Sequence, residues 1–181
     1  MERHNIDLKD IRLDGLVLDI GGGGEGVISR HVGGSVVSID KIKAELEESP
    51  NIGIKIVMDA TDMQFLDDTF DNANCFFSLM YMSDEDMEKV LQETFRILKR
   101  GGCLWIWDAI IPPSSGEDSF VIQLAIQIKN EIITTDYGVG WKNPFKGQSM
   151  RNIIDLCEKT GFAIAESSEN EQSFFVKAVK T

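Results

Sequence analysis

The chain has 181 residues, 43% hydrophobic and 27% charged, which suits one globular domain over 1–181 with an ordinary core. Acids outnumber bases 30 to 18, for a formal net charge of −12. Gripping a phosphate backbone needs clustered Lys and Arg, so nucleic acid is excluded as an expected partner and a small neutral or cationic molecule is favoured.

In chain order, MERHNIDLKDIRL at the start is charged and lacks the apolar core of a signal peptide. No apolar run approaches the roughly 20 residues that span a bilayer, so no membrane partner is expected and the location reads as cytoplasmic. VLDIGGGGEG (17–26) joins a short apolar strand to a glycine run. Glycines there tolerate positive φ and let a ligand approach the main chain where a Cβ would collide. SVVSID (35–40) then places Asp40 at a strand end, where a carboxylate can accept hydrogen bonds from two ribose hydroxyls. Gly21, Gly23 and Gly26 also satisfy GxGxxG with an acid about 20 residues on, the dinucleotide spacing, so an NAD-dependent oxidoreductase is a rival reading. Asp19 counts against it, because a carboxylate in that turn repels a pyrophosphate.

Further strands are expected at IKIVMD (54–59), ANCFFS (73–78) and CLWIWD (103–108), with short helices at 26–31 and 41–48. The clearest helix runs over 84–99, with Met87, Val90, Leu91, Thr94, Phe95 and Leu98 on one face, Ser83 and Asp86 as a capping box, and Gly101-Gly102 as its stop. Strands ending in Asp40, Asp59, Ser78 and Asp108 gather polar groups at the carboxyl edge, where open α/β sheets bind ligands. IIPPSSGED (110–118) reads as loop, the period of two from Phe120 onward predicts a β-hairpin, and GVGWKNPFKGQ (138–148) is loop again. We read 109–148 as an insertion after the fifth strand that serves as a substrate lid or as an arm for a homodimer. A helix over 150–159 follows. FAIAESS (162–168) and SFFVKAVK (173–180), joined only by ENEQ, have no room for a crossover and must be antiparallel. The expected fold is α/β: a Rossmann-like, doubly wound, seven-stranded, mostly parallel sheet with an antiparallel last strand and a β-hairpin insertion.

Other residues carry less chemistry. Cys75, Cys103 and Cys157 are spaced as buried reduced thiols, and His31 as a helix C-terminal cap. Trp105 and Trp107 are expected one facing the core and one under a neighbouring helix. No HxH, HExxH or cysteine cluster signals a metal, and no GxSxG elbow a hydrolase. Asp108 at its strand end is a candidate general base. Tyr81, Tyr137 and Trp141 are candidate aromatic walls for a cationic acceptor.

Taken together, VLDIGGGG, the SID ending at Asp40, VMDATDMQF (57–65), TFDNANCFFSLMYM (69–82) and FRILKRGGCLWIWD (95–108) resemble the ordered motifs of class I S-adenosylmethionine-dependent methyltransferases. The resemblance runs over about 17–180 and includes the terminal antiparallel pair. It implies S-adenosylmethionine as cofactor, S-adenosylhomocysteine as product, and methyl transfer to an unidentified small molecule. A non-catalytic binder of the same cofactor is the alternative. It further implies Asp19, Gly21 and Gly23 at the methionine part of the cofactor and Asp40 on the ribose. Lys41, Asp59 and Ala60 would meet the adenine, with Ser78 and Leu79 lining the site after the fourth strand. Asp108 and Tyr81 are the candidate catalytic residues. SLMY (78–81) stands where methyltransferases of planar nitrogens carry an NPPY-type sequence. Glu25 departs from the pattern, since glycine is usual there. It points either at the cofactor's amino group or outward, with Gly22, Gly24 and Gly26 supplying the lost flexibility.

Overall fold

The computed structural model describes residues 3–113, 119–129, 131–140 and 147–181. In chain order the elements are β1 (His4–Asp7), β2 (Val17–Ile20), α1 (Val27–Val32), β3 (Val36–Asp40), α2 (Lys43–Glu48), β4 (Ile54–Val57) and β5 (Phe70–Phe76). A 3-10 turn (Leu79–Tyr81), α3 (Asp84–Ile97) and β6 (Leu98–Ala109) follow. The chain continues through β7 (Ser119–Ile128), β8 (Glu131–Gly140), α4 (Met150–Thr160), β9 (Phe162–Glu169) and β10 (Ser173–Lys180).

Seven strands form one sheet in the order β4-β3-β2-β5-β6-β10-β9. The pairs β2–β3, β3–β4, β2–β5 and β5–β6 are parallel, whereas β10 runs antiparallel to both β6 and β9. β2 and β3 lie side by side, with Asp19 opposite Ser38, so the turn after β2 and the end of β3 open on the same edge. Asp40 and the glycine run therefore meet there although 13 residues lie between Gly26 and Asp40.

Strand alternation sends each strand's side chains to two faces, and the core divides accordingly. On one face Leu18, Ile20, Ile39, Leu104 and Ile106 pack with Val90 and Leu91 of α3 and Ile153 and Cys157 of α4. Ser83 caps α3, its hydroxyl accepting from the Asp86 N–H at 3.1 Å, with three acids in the first turn complementing the helix dipole. The other face carries Val17, Val36, Trp105 and Trp107. It is covered by Val27 and Ile28 of α1 and by Ile122, Leu124, Ile126 and Ile128 of β7. A second sheet, β1-β7-β8, thus lies on the first, with β7 and β8 antiparallel and β1 parallel to β7.

Several local expectations change. α3 ends at Ile97 and β6 begins at Leu98, because Leu98 is already paired with Phe70 of β5. Lys99 to Gly102 therefore belong to a strand. Trp105 and Trp107 share one face, as residues two apart must, and stack at 6.1 Å. His31 caps nothing in its own helix: its Nε2 meets the Ile11 carbonyl at 3.0 Å and ties the N-terminal segment to α1. Cys75 and Cys157 are buried and free, while Cys103 is only half-buried. Trp141 and parts of both flanking loops (114–118 and 141–146) lie outside the described residues. Among the described residues no helix is long and apolar enough to cross a membrane.

Candidate active site

A cavity of about 510 Å³ opens at the carboxyl edge of the main sheet, over the turn that leaves β2. That size is within the roughly 300–1,000 Å³ of small-molecule sites. Residues 21–26 form one side, Asp40 and Lys41 after β3 another, and Asp59 and Ala60 after β4 a third. Phe77, Ser78 and Tyr81 enter from the end of β5, and Asp136 and Tyr137 from β8.

The turn is packed as tightly as glycine permits. A Cβ on Gly22 would stand 2.6 Å from Asp19 Oδ2 and 2.7 Å from the Ser38 Cβ, too close for any side chain. Asp19 lies beneath it, 2% exposed, its Oδ1 accepting from the Asn74 amide. Burial raises the Asp19 pKa to about 7, against the hydrogen bonds of Asn74 and Ser38 that favour the charged form. Its carboxyl forms part of the cavity floor and braces the turn from below.

Asp40 uses Oδ1 to accept the Ile42 N–H at 2.8 Å, which turns the chain into α2. Its Oδ2 faces the glycine turn, 3.2 Å from where a Cβ of Gly23 would lie. Asp59 is exposed, and its Oδ1 accepts both the N–H and the hydroxyl of Thr61. Those two bonds, backbone first, lower its pKa. Ser78 is 8% exposed, and its Oγ has no hydrogen-bond partner although it lines the cavity. A buried hydroxyl left unpaired in a native fold marks a place where a ligand or water completes the bonding.

Two expected site residues lie elsewhere. Leu79 is fully buried in the core and does not line the cavity, because the 3-10 turn rotates it away from Ser78 and Tyr81. Asp108 is also fully buried and outside the cavity. Its Oδ2 accepts from Leu79 N and Met80 N at 2.9 and 3.3 Å, and its Oδ1 from Ala109 N and Gln148 Nε2 at 2.7 and 3.0 Å. With both oxygens committed, it is corrected from general base to brace. Burial lifts its pKa to about 7, opposed by those four donors. Tyr81 does line the cavity, half-exposed. Its pKa is raised, mainly by burial, so it is a donor rather than a base.

Glu25 lines the cavity, and its carboxylate is bonded to the neighbouring strand β8. Its Oε1 accepts from the Thr135 hydroxyl and its Oε2 from the Tyr137 hydroxyl at 2.9 Å, both on β8. The sequence flagged Glu25 as irregular, but its partners lie more than 100 residues away and no local pattern reveals them. Gln148, which bonds Asp108 and forms an antiparallel bridge with Ile111, carries no local signal for the same reason. Among the described residues the cavity lining is strongly acidic: Asp19, Glu25, Asp40, Glu45, Glu48, Asp59, Asp86 and Asp136 against Lys41.

Residues 18–106 match the family model described as a methyltransferase domain. A curated relative, the ubiquinone/menaquinone biosynthesis C-methyltransferase UbiE of Cronobacter sakazakii, is 30% identical over 155 residues, covering 76% of this chain and 61% of that protein. The chain is therefore similar to the S-adenosylmethionine-dependent methyltransferases, in its match to the family model over 18–106 and in its fold. It spans about three-fifths of the length of that relative. Among solved structures, the S-adenosylmethionine-dependent methyltransferase from Mesorhizobium loti superposes with a TM-score of 0.65 at 16% identity, covering 93% of each chain. The [4+2]-cyclase SpnF gives 0.67 at 14% identity, covering 95% of this chain and 77% of that one. Both show the methyltransferase fold, and the second shows that the fold is shared by a protein named for another reaction. The class I methyltransferase strand order accounts for the antiparallel β10, which a nicotinamide enzyme would not need.

Proposed function

We propose that the chain transfers a methyl group from S-adenosylmethionine to a small neutral or cationic acceptor held against the insertion. The observation that carries this reading is the single cavity shared by the glycine turn, Asp40 and the wall of Tyr81 and Tyr137. The residues present fit the cofactor. Asp40, whose Oδ2 faces the glycine turn, would accept from the ribose, the unpartnered Ser78 hydroxyl would bond the amino-acid part, and the acidic lining would favour a cation. Lys41, Asp59 and Ala60 form the wall that would meet the adenine, with Gly21 and Gly23 allowing close approach.

When bound, S-adenosylmethionine supplies a methyl group on a positive sulfur, already activated for displacement. The chain's task is then alignment and exclusion of water, and holding two reactants in attack geometry is worth roughly 7–11 kcal/mol. Phe77 and Tyr137, stacked at 5.4 Å, close the cavity with apolar surface. Tyr81 and Tyr137 offer ring faces and Asp136 a carboxylate to a cationic acceptor. No carboxylate of the site is assigned as base. A thiolate, a phenolate or a free amine reacts without one.

Insertion 109–148 is proposed as the acceptor-side wall of a single domain, rather than as a dimerising arm. The relative's name makes quinol-type carbon acceptors one arm of an assay in which amines and thiols are the others. Titration calorimetry with S-adenosylmethionine should show binding that Asp40→Ala weakens about tenfold or more, the worth of a lost charge-assisted bond. Formation of S-adenosylhomocysteine on adding one acceptor class completes the test. Binding of NADH in place of S-adenosylmethionine would overturn the reading, and binding without turnover on any acceptor would leave a binder.

A further inference from the structure

We infer that Glu25 is a latch joining the cofactor turn to the insertion, so that filling the cofactor end of the cavity orders the acceptor wall. The inference rests on the cofactor assignment above. It begins with the one position in the turn where this chain carries a large side chain in place of glycine.

Glu25 stands between Gly24 and Gly26, whose φ values are 56° and 58°. Two left-handed residues turn the chain sharply on either side and carry the intervening side chain away from the main sheet toward β8. There Thr135 and Tyr137, two apart on one strand and so on one face, each donate a hydroxyl to a different carboxylate oxygen. The bonding is complementary: a carboxylate accepts at both oxygens and each hydroxyl has one proton to give. Arg30 of α1 reinforces the same seam. Its Nε donates to the Glu25 carbonyl at 2.8 Å, and its Nη1 reaches Glu131 at the start of β8 at 3.1 Å.

Tyr137 then carries the contact across the cavity. Its hydroxyl is on Glu25 while its ring stacks on Phe77. Phe77 itself is held at a φ of 51°, with its N–H on the Trp107 carbonyl at 2.7 Å. A non-glycine residue in that conformation is strained and persists only where its neighbours fix it. The turn after β2, the strand β8 and the end of β5 are thereby joined through three side chains, Glu25, Tyr137 and Phe77. All three border the cavity, so a ligand that fixes the turn also fixes β8, and by linkage an acceptor seated on β8 strengthens cofactor binding by the same factor.

The test uses S-adenosylhomocysteine, which has no methyl to transfer, and hydrogen–deuterium exchange of residues 131–140. In the wild type, saturating S-adenosylhomocysteine should slow exchange of β8 by about fivefold or more, the lower end of ordinary coupling. Glu25→Gly and the double substitution Thr135→Val/Tyr137→Phe should each remove that protection, and combining all three should add nothing further. Glu25→Gln, which keeps a hydrogen-bonding group at the same reach, should retain it. Should Glu25→Gly fail to fold, the double substitution decides, since it leaves the turn intact. A merely structural Glu25 would lower the melting temperature and leave ligand-induced protection in place, and that result overturns the latch. Binding to the wild type with no change in β8 overturns it as well, leaving the functional reading untouched. No binding of either S-adenosylmethionine or S-adenosylhomocysteine overturns both.

Discussion

Asp108 and Ser78 sit within a few residues of each other in space but were dealt opposite roles by the backbone. Asp108 accepts four hydrogen bonds, two of them from the turn that presents Ser78 and Tyr81 to the cavity, whereas Ser78 Oγ accepts and donates none. Replacing Asp108 with Asn swaps one oxygen for an NH2 group that must then face two N–H donors. A buried donor without an acceptor costs about 1–3 kcal/mol. Asp108→Asn should therefore shift urea denaturation by that amount, and it should weaken cofactor binding only through the displaced turn. Full stability together with abolished methyl transfer would restore Asp108 as a catalytic base. Strand parity held the clue: Leu104, Ile106 and Asp108 share a face of β6, and that face packs under α3 and α4. That the glycines, Asp40 and Ser78 border the cavity was legible because they follow strand ends at the carboxyl edge of the sheet. Whether a strand-end carboxylate is free or already bonded depends on distant donors such as Gln148, which a linear reading does not bring together.

At the scale of elements, the β7–β8 hairpin is the part that departs most from a plain doubly wound sheet. Its first strand alternates strictly, with Ile122, Leu124, Ile126 and Ile128 buried and Val121, Gln123, Ala125 and Gln127 more open, so the period of two was readable. What could not be read was β1. HNID is short and polar, it has no hairpin partner, and it becomes a strand only by pairing with β7 some 120 residues later. Similarly, the start of β6 at Leu98 is decided by its pairing with β5, not by the glycines that follow. Leu124 is fully buried in β7 and makes that strand part of the core. Leu124→Ala should cost about 2–5 kcal/mol, the usual range for a buried leucine truncation. A loss below 1 kcal/mol would mean that the insertion lies loosely on the sheet, and then β8 could not serve as a fixed acceptor wall.

Across the whole molecule, two fully buried carboxyls and a surplus of surface acids set the pH dependence in one direction. Asp19 and Asp108 have folded-state pKa values of about 7 against 3.8 for the ordinary group. The folded chain therefore binds more protons than the unfolded chain between those values. Stability then falls as pH rises from about 4 to about 7 and is level above, as linkage requires. The repulsion behind a net charge of −12 acts in the same sense, since protonation of acids relieves it. Opposing this, Asp59, Asp71 and Glu93 have lowered pKa values, the first two through backbone and side-chain hydrogen bonds and Glu93 chiefly through Arg96. Their contribution is present above the ordinary carboxylate values and is lost as pH falls through the depressed ones. Asp59 is exposed and Asp71 and Glu93 are partly so, and solvent screening keeps their effect small. The maximum should fall between about pH 4.5 and 6, where the lowered groups are still ionised and the buried pair is mostly protonated. Thermal melts at constant ionic strength should thus show a higher midpoint at pH 5.5 than at pH 8. Asp19→Asn cannot ionise and keeps an oxygen for the Asn74 amide, so it should flatten part of that slope. A midpoint that is unchanged or lower at pH 5.5 would mean that both carboxyls stay ionised in the folded chain, held by their donors against burial. Asp19 would then bring a full negative charge to the cavity floor.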